Sequence, residues 1–178
     1  HINGKEINQQ RNVLQESARI ARGKIFPLSK LDLKNISSLV IVGGFGAAKN
    51  LSNWAFKGPN GSVLKEVKDL ILYFIRNKKP IVSLCISPTL IAKSTQGTEY
   101  HPKLTLGSTN ENSEYNISEI NEAISSTGAF TEDKSISEIC VDEELKIITA
   151  PCYMMDTNIE GIYLNTKMAI DKLCHFLD

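Results

Sequence analysis

The sequence predicts an α/β layered domain built on a largely parallel sheet. Two short runs, Ser38–Val42 and Ile81–Leu84, are apolar or small throughout instead of alternating with polar residues. That pattern marks strands buried on both faces. Amphipathic helical stretches alternate with the strands, which is the order expected of parallel strands joined by right-handed crossovers. A length of 178 residues suits one domain.

Taken in order, Asn12–Arg22 reads as a helix, with Val13, Leu14, Ala18 and Ala21 at helical spacing and Gly23 as its stop. Ser29–Asn35 reads as a polar helical turn, and Ser38–Val42 is a strand closed by Gly43-Gly44. Gly46–Phe56 reads as a loop entering a short helix, broken at Lys57–Gly61. Ser62 is expected to cap a helix whose stripe is Val63, Val67, Leu70, Ile71 and Phe74. Ile81–Leu84 is the next strand, and Ser87-Pro88 starts a helix, since proline is tolerated in the first turn.

Leu104–Leu106 is predicted as a strand ended by Gly107, Ser108–Tyr115 as an exposed loop and Ile117–Ser125 as a helix. Glu138–Val141 and Lys146–Thr149 flank the acidic turn Asp142-Glu143-Glu144, which indicates a hairpin. Asn158–Phe176 is a terminal helix with Ile159, Tyr163, Ile170, Leu173 and Leu177 near one face.

Composition removes several function classes. Twenty basic and twenty acidic residues cancel, leaving no charge excess to hold a nucleic acid or an anionic membrane. The longest apolar runs, near Leu39–Val42 and Pro80–Ile86, are far short of a membrane span. The four cysteines form no CxxC pair, so neither a zinc site nor a disulfide scaffold is indicated, and no metal is expected. The start His1–Gln10 is polar and carries no signal-peptide pattern. Arg11, Glu16, Arg19 and Arg22 mark a helix with a solvated ion pair.

Ligands of parallel sheets bind beyond the carboxyl ends of the strands. Two segments sit there, Gly43–Gly46 and Cys85–Pro88. Cys85 ends a strand and precedes a helix start, whose free N–H groups and positive end favour a thiolate and lower its pKa. The arrangement is the strand–nucleophile–helix elbow with sulfur as nucleophile. On spacing alone, Cys85 reads as a nucleophile or as a small buried hydrophobe. Gly43-Gly44 reads as an oxyanion-stabilising backbone or as a tight turn. Gly43–Gly46 lacks the GxGxxG spacing of a dinucleotide fingerprint. Cys140 and Cys174 read as packing residues, Cys152 borders the expected pocket, and neither His101 nor His175 is near Cys85 in sequence.

These residues resemble a known family. Gly43-Gly44-Phe45-Gly46-Ala47-Ala48-Lys49-Asn50-Leu51-Ser52 is similar to the signature of the ElbB-like (enhancing lycopene biosynthesis) family, within the PfpI/ThiJ superfamily related to class I glutamine amidotransferases. Arg11-Asn12-Val13-Leu14, Glu16–Gly23, Cys85–Pro88 and Thr149-Ala150-Pro151 resemble it too, so the likeness covers nearly the whole chain. The resemblance implies a flavodoxin-like three-layer sandwich with Cys85 as the catalytic nucleophile. It sets the oxyanion donors at the N–H groups of Gly44 and Ile86, and the pocket at Gly43, Phe45, Asn50 and Cys152.

The implied activity is that of a glutathione-independent glyoxalase, a lyase converting glyoxal-type dicarbonyls to hydroxy acids. The implied protein is a homodimer acting on a small aldehyde without a cofactor, cytoplasmic in a bacterium and mitochondrial in a eukaryote. The alternative is a non-catalytic accessory or regulatory protein with an amidotransferase-like fold, linked to isoprenoid metabolism. Ile86 stands where some superfamily proteases have histidine, so no Cys–His–Glu triad is visible and a glutaminase is disfavoured. The superfamily's first strand and catalytic glutamate would precede His1. Residues 1–178 are therefore expected to be a single amidotransferase-like domain, incomplete at its N-terminus and missing a strand beside Ser38–Val42.

Overall fold

The computed structural model describes residues 8–178; most of the polar start His1–Gln10 lies outside them. The chain divides into two compact units, residues up to 33 and residues 34–178. In the first, helix α1 (Val13–Ala21) is capped by the Asn12 side chain, which accepts from the Gln15 N–H at 3.1 Å. Glu16 pairs with Arg11 at 2.5 Å and with Arg19 at 3.1 Å. The helix ends in a left-handed Arg22, one residue before the glycine expected to stop it.

The second unit is the α/β domain. Its main sheet has the order β1 (Leu39–Ile41), β2 (Ile81–Leu84), β6 (Ile147–Ala150), β5 (Cys140–Asp142). The first three strands are parallel, and β5 pairs antiparallel with β6 as the predicted hairpin. Every residue of β2 and β6 is buried, as apolar strands covered on both faces must be. Val82, Leu84, Ile148 and Ala150 share one face and pack with Ile162, Ala169 and Leu173 of the terminal helix α6 (Ile159–Leu177). Ile81, Ser83, Ile147 and Thr149 alternate to the other face, equally sealed. This is the mostly parallel, flavodoxin-like α/β architecture.

Strand β1 departs from its two-sided reading. It is the edge strand among the described residues, and Val40 is 41% exposed. Helix α3 begins at Lys65 and runs to Arg76 with no side-chain cap, so Ser62 does not cap it. The Ser62 N–H instead donates to Asn53 Oδ1 at 2.6 Å, and Val63 bridges to Ser52 outside the helix. The remaining stripe holds, with Val67, Leu70, Ile71 and Phe74 buried. On α6 the docked face is Ile162, Asn165, Ala169 and Leu173, whereas Ile159, Tyr163 and Leu177 are exposed. The buried polar Asn165 explains the misread face, because it looks like a solvent position in sequence.

The strand expected at Leu104–Leu106 is β3 (Lys103–Leu104), paired in parallel with β4 (Phe130–Thr131) as a separate two-stranded sheet. Side chains tie it to the main sheet. The Lys103 N–H donates to Asp142 Oδ2 and the Thr105 N–H to Thr149 Oγ1, both at 2.9 Å. Cys140 is sealed in β5, where burial, then the nearby Glu132, pushes its thiol from 9.0 up to about 12.

That shift sets a pH dependence of stability. Between 9.0 and about 12 the unfolded thiol has lost its proton while the folded one keeps it, so stability must fall as pH rises through this window. Denaturant titrations across the alkaline range should show the decline, and Cys140→Val should flatten the slope. An unchanged slope in the variant would remove Cys140 from the account.

Candidate active site

Strand β2 hands over to helix α4 (Pro88–Thr95) through Cys85, whose φ is +58°. A non-glycine residue in this left-handed region is strained. Neighbours hold it there. The Cys85 N–H donates to Ala150 O at 3.0 Å, and the Ser87 N–H donates to Leu84 O at 3.1 Å. The fully buried Ser87 hydroxyl lies 2.7 Å from Ser83 Oγ, 2.9 Å from Ile41 O and 2.8 Å from Leu84 O. One serine thereby joins the ends of β1 and β2 to the start of the helix.

Gly43 and Gly44 follow β1 with φ of +86° and +76°. They do different work. A Cβ on Gly43 would sit 2.4 Å from Leu84 O and 3.0 Å from Cys85 Cβ, so its bare backbone lets the turn close against the nucleophile strand. A Cβ on Gly44 would meet nothing within 4 Å. The N–H groups of Gly44 and Ile86 face the Cys85 thiol and favour its thiolate. They are the two donors anticipated as the oxyanion pair, now on one sulfur.

The charge state of that sulfur differs from expectation. Burial pushes the Cys85 thiol above the ordinary thiol range, and the Gly44 and Ile86 N–H groups only partly offset it. The helix start was expected to lower this value; removal of the thiolate from water outweighs it. Cys152 is similar. It is left-handed at φ +46° and buried, its thiol is pushed up chiefly by burial, and it rests against the Cys85 N–H and 3.5 Å from Thr166 Oγ1. Asn165 fixes it, accepting from the Cys152 N–H at 2.9 Å and donating to Glu138 O at 2.7 Å.

Cys85 opens into a cavity of about 580 Å³. Gly43, Gly44, Phe45 and Ile86 line it, but Asn50 and Cys152 do not. Asn50 is exposed, and Cys152 is buried behind the lining. Sequence reasoning missed Trp54, Tyr115, Ile120, Tyr153 and Met154, which complete much of the wall. Trp54 and Ala48 fall in or beside the glycine-rich signature, which was the available hint; Tyr115 sits in a loop whose polarity concealed it. No residue of the lining carries a formal charge. His101 is engaged elsewhere, with Nδ1 2.8 Å from Gly128 O. Among the described residues no group of three or more His, Cys, Asp or Glu side chains is placed to hold a metal.

A strained cysteine elbow at the carboxyl end of a parallel sheet, faced by a glycine turn, fits a class I glutamine amidotransferase-like protein. Within that class, the relatives and the solved structure that the chain matches support the ElbB-like family read from its signature. It is 39% identical to the mitochondrial ES1 protein homolog of Rattus norvegicus over 97% of its own length and 64% of the relative's. It is 40% identical to the human mitochondrial glutamine amidotransferase-like class 1 domain-containing protein 3, over 87% of its length and 57% of the relative's. The chain thus spans 57% to 64% of these two curated relatives. An isoprenoid biosynthesis protein with an amidotransferase-like domain from Ehrlichia chaffeensis superposes with a TM-score of 0.86 at 29% identity, covering all of this chain and 76% of the other. The rapid encystment protein of Francisella tularensis shares the fold at a TM-score of 0.55 and 15% identity, covering 94% and 73% of the two chains. No family model matches the chain.

Two measurements test this geometry. Gly43→Ala should lower stability by more than the cost of its backbone angle alone, about 1–3 kcal/mol, because the new Cβ also meets Leu84 O. Gly44→Ala carries the backbone cost without that clash, so it should lose less melting temperature and cut whatever turnover the site supports. Equal melting losses in both would make Gly44 only a turn. Alkylation of Cys85 by iodoacetamide, mapped by mass spectrometry, should have a pH midpoint above the free-thiol value of about 8.5. A plateau well below that value would mean that the helix start, not burial, governs the sulfur.

Proposed function

We propose that the protein is a glyoxalase-like enzyme that converts glyoxal-type dicarbonyls to hydroxy acids through Cys85, without glutathione. The observation that carries this reading is the Cys85 thiol at a strained elbow, with the N–H groups of Gly44 and Ile86 on its sulfur and an uncharged cavity before it.

In the proposed reaction the thiolate forms a bond to the aldehyde carbon. The carbonyl π pair moves to oxygen, and the Gly44 and Ile86 N–H groups stabilise the resulting oxyanion. A proton then passes from that carbon to its neighbour, and the proton released by the Cys85 thiol reaches the second oxygen to make it a hydroxyl. The first carbon, its oxygen again a carbonyl, becomes a thioester. Water adds to the thioester, the C–S bond breaks, and the hydroxy acid leaves with Cys85 restored. The carbon-to-carbon transfer needs an acid–base group, and no carboxylate lines the cavity among the described residues. No oxidant or cofactor enters the balance. We place the protein in the mitochondrion if its source is a eukaryote, because the rat and human relatives bear that designation. No helix among the described residues is long and apolar enough to cross a membrane.

One observation favours the second reading, a non-catalytic member of the family linked to isoprenoid metabolism: no carboxylate or imidazole lines the cavity among the described residues. Glycolate formation from glyoxal separates the two. The wild-type protein should produce glycolate, and Cys85→Ala, with an unchanged melt, should abolish it. Absence of turnover in wild type and variant alike would favour the accessory protein, and ammonia release from glutamine would point to a glutaminase.

A further inference from the structure

We infer that the Tyr115 hydroxyl is a second carbonyl-binding group of this site, donating a hydrogen bond to the oxygen adjacent to the aldehyde that Cys85 attacks. The inference rests on the glyoxalase-like reading and specifies what that site recognises, a vicinal dicarbonyl and not a simple aldehyde.

The argument begins with the inventory of donors. Attack by Cys85 commits the Gly44 and Ile86 N–H groups to the aldehyde oxygen. A vicinal dicarbonyl carries a second oxygen on the next carbon, and a buried carbonyl without a donor is costly. Among the described residues only two side-chain hydroxyls line the cavity, those of Tyr115 and Tyr153. Tyr153 is 60% exposed, whereas Tyr115 is the more enclosed of the two at 36%.

Tyr115 is also held in place. Its N–H donates to Ser113 Oγ at 2.9 Å, and that hydroxyl donates to Met154 O at 2.6 Å. The Asp156 N–H donates to Asn112 O at 2.9 Å. The loop is therefore stapled to the segment after β6 that forms the opposite part of the wall. On the other side of Tyr115, Asn116 caps α5 (Ile117–Ser125) by accepting from the Glu119 N–H at 3.2 Å. A tyrosine whose backbone is fixed from both sides leaves only its side-chain torsions to order when a ligand arrives.

The electrostatics agree with a donor. Burial first, then the charge of the Cys85 sulfur and of Glu114, pushes the Tyr115 phenol above its ordinary value. The hydroxyl thus keeps its proton across the neutral range and lies within electrostatic reach of the nucleophile. A phenol that holds its proton donates; it does not serve as the base.

The test compares Tyr115→Phe with the wild type, using methylglyoxal and the size-matched mono-aldehyde propanal. Two readouts are taken: turnover of methylglyoxal, and protection of Cys85 from iodoacetamide by each aldehyde through reversible hemithioacetal formation. Tyr115→Phe should leave alkylation without aldehyde unchanged and lower kcat/KM for methylglyoxal by about 10–100-fold, somewhat less than loss of a full oxyanion donor. It should weaken protection by methylglyoxal about tenfold while protection by propanal holds. Tyr163→Phe, at an exposed tyrosine of α6 outside the lining, should alter neither readout.

Unchanged protection and turnover in Tyr115→Phe would overturn the assignment, and so would an equal loss with both aldehydes, which would mark a packing role. If the wild type does not turn methylglyoxal over, the glyoxalase reading falls, and the ratio of methylglyoxal to propanal protection still decides whether Tyr115 binds the second carbonyl.

Discussion

The structure hinges on the left-handed backbone at Cys85. A β-strand that must feed a helix within two residues cannot do so with ordinary angles, and the strain of about 1–3 kcal/mol persists only where surroundings over-determine it. Here they do. Strand β6 supplies the Ala150 carbonyl to the Cys85 N–H, Ser87 ties Ile41 and Leu84 together, and the bare Gly43 lets the neighbouring turn press against the nucleophile strand. The site is thus a product of the central sheet pairing and not an ornament on a loop.

The same sheet reaches the far side of the site through Asn165. This buried amide on α6 holds the backbone of Cys152, whose sulfur lies within electrostatic reach of Cys85. A polar side chain in a core is retained only when its hydrogen bonds are met, and Asn165 meets its own with Cys152 and Glu138. The terminal helix therefore does two jobs: its apolar residues seal β2 and β6, and its one buried amide positions the backbone behind the nucleophile.

Legibility in the sequence follows from how local each feature is. The buried run of β2 and Ser87-Pro88 at a helix start depend on neighbouring residues and lie where the sequence pattern set them, and the hairpin lies a residue or two further along, at Cys140–Asp142 and Ile147–Ala150. Features set by distant partners were not legible. Ser62 looks like a cap, but Asn53 captures its N–H and moves the helix start to Lys65. Val40 looks buried, yet its strand lies at an edge among the described residues. The pairing of Lys103 with Phe130 joins short segments too brief to carry a period. Cys85 was legible as an elbow because strand and helix signals meet at it. Its charge state was not, because burial depends on walls contributed by Trp54, Tyr115 and Met154, which no local pattern brings together.

Those walls give the elevated Cys85 pKa its chemical meaning. A thiolate at the base of an uncharged, apolar cavity is costly to form, since neither water nor a cationic side chain compensates it; the two backbone N–H groups are its chief support. The low local dielectric that raises this cost also strengthens every dipole that acts there. Once sulfur has added to a carbonyl, negative charge moves from sulfur to oxygen, and the same fixed N–H groups can follow it with little reorganisation. Burial therefore sets two effects in opposition, a smaller thiolate population and stronger stabilisation of the adduct. An exposed cysteine with an ordinary pKa would have more thiolate and a weaker oxyanion site. The glycine turn resolves the conflict in favour of the adduct, because it brings backbone donors to the sulfur without introducing a side chain that would fill the cavity or a charge that would have to be desolvated.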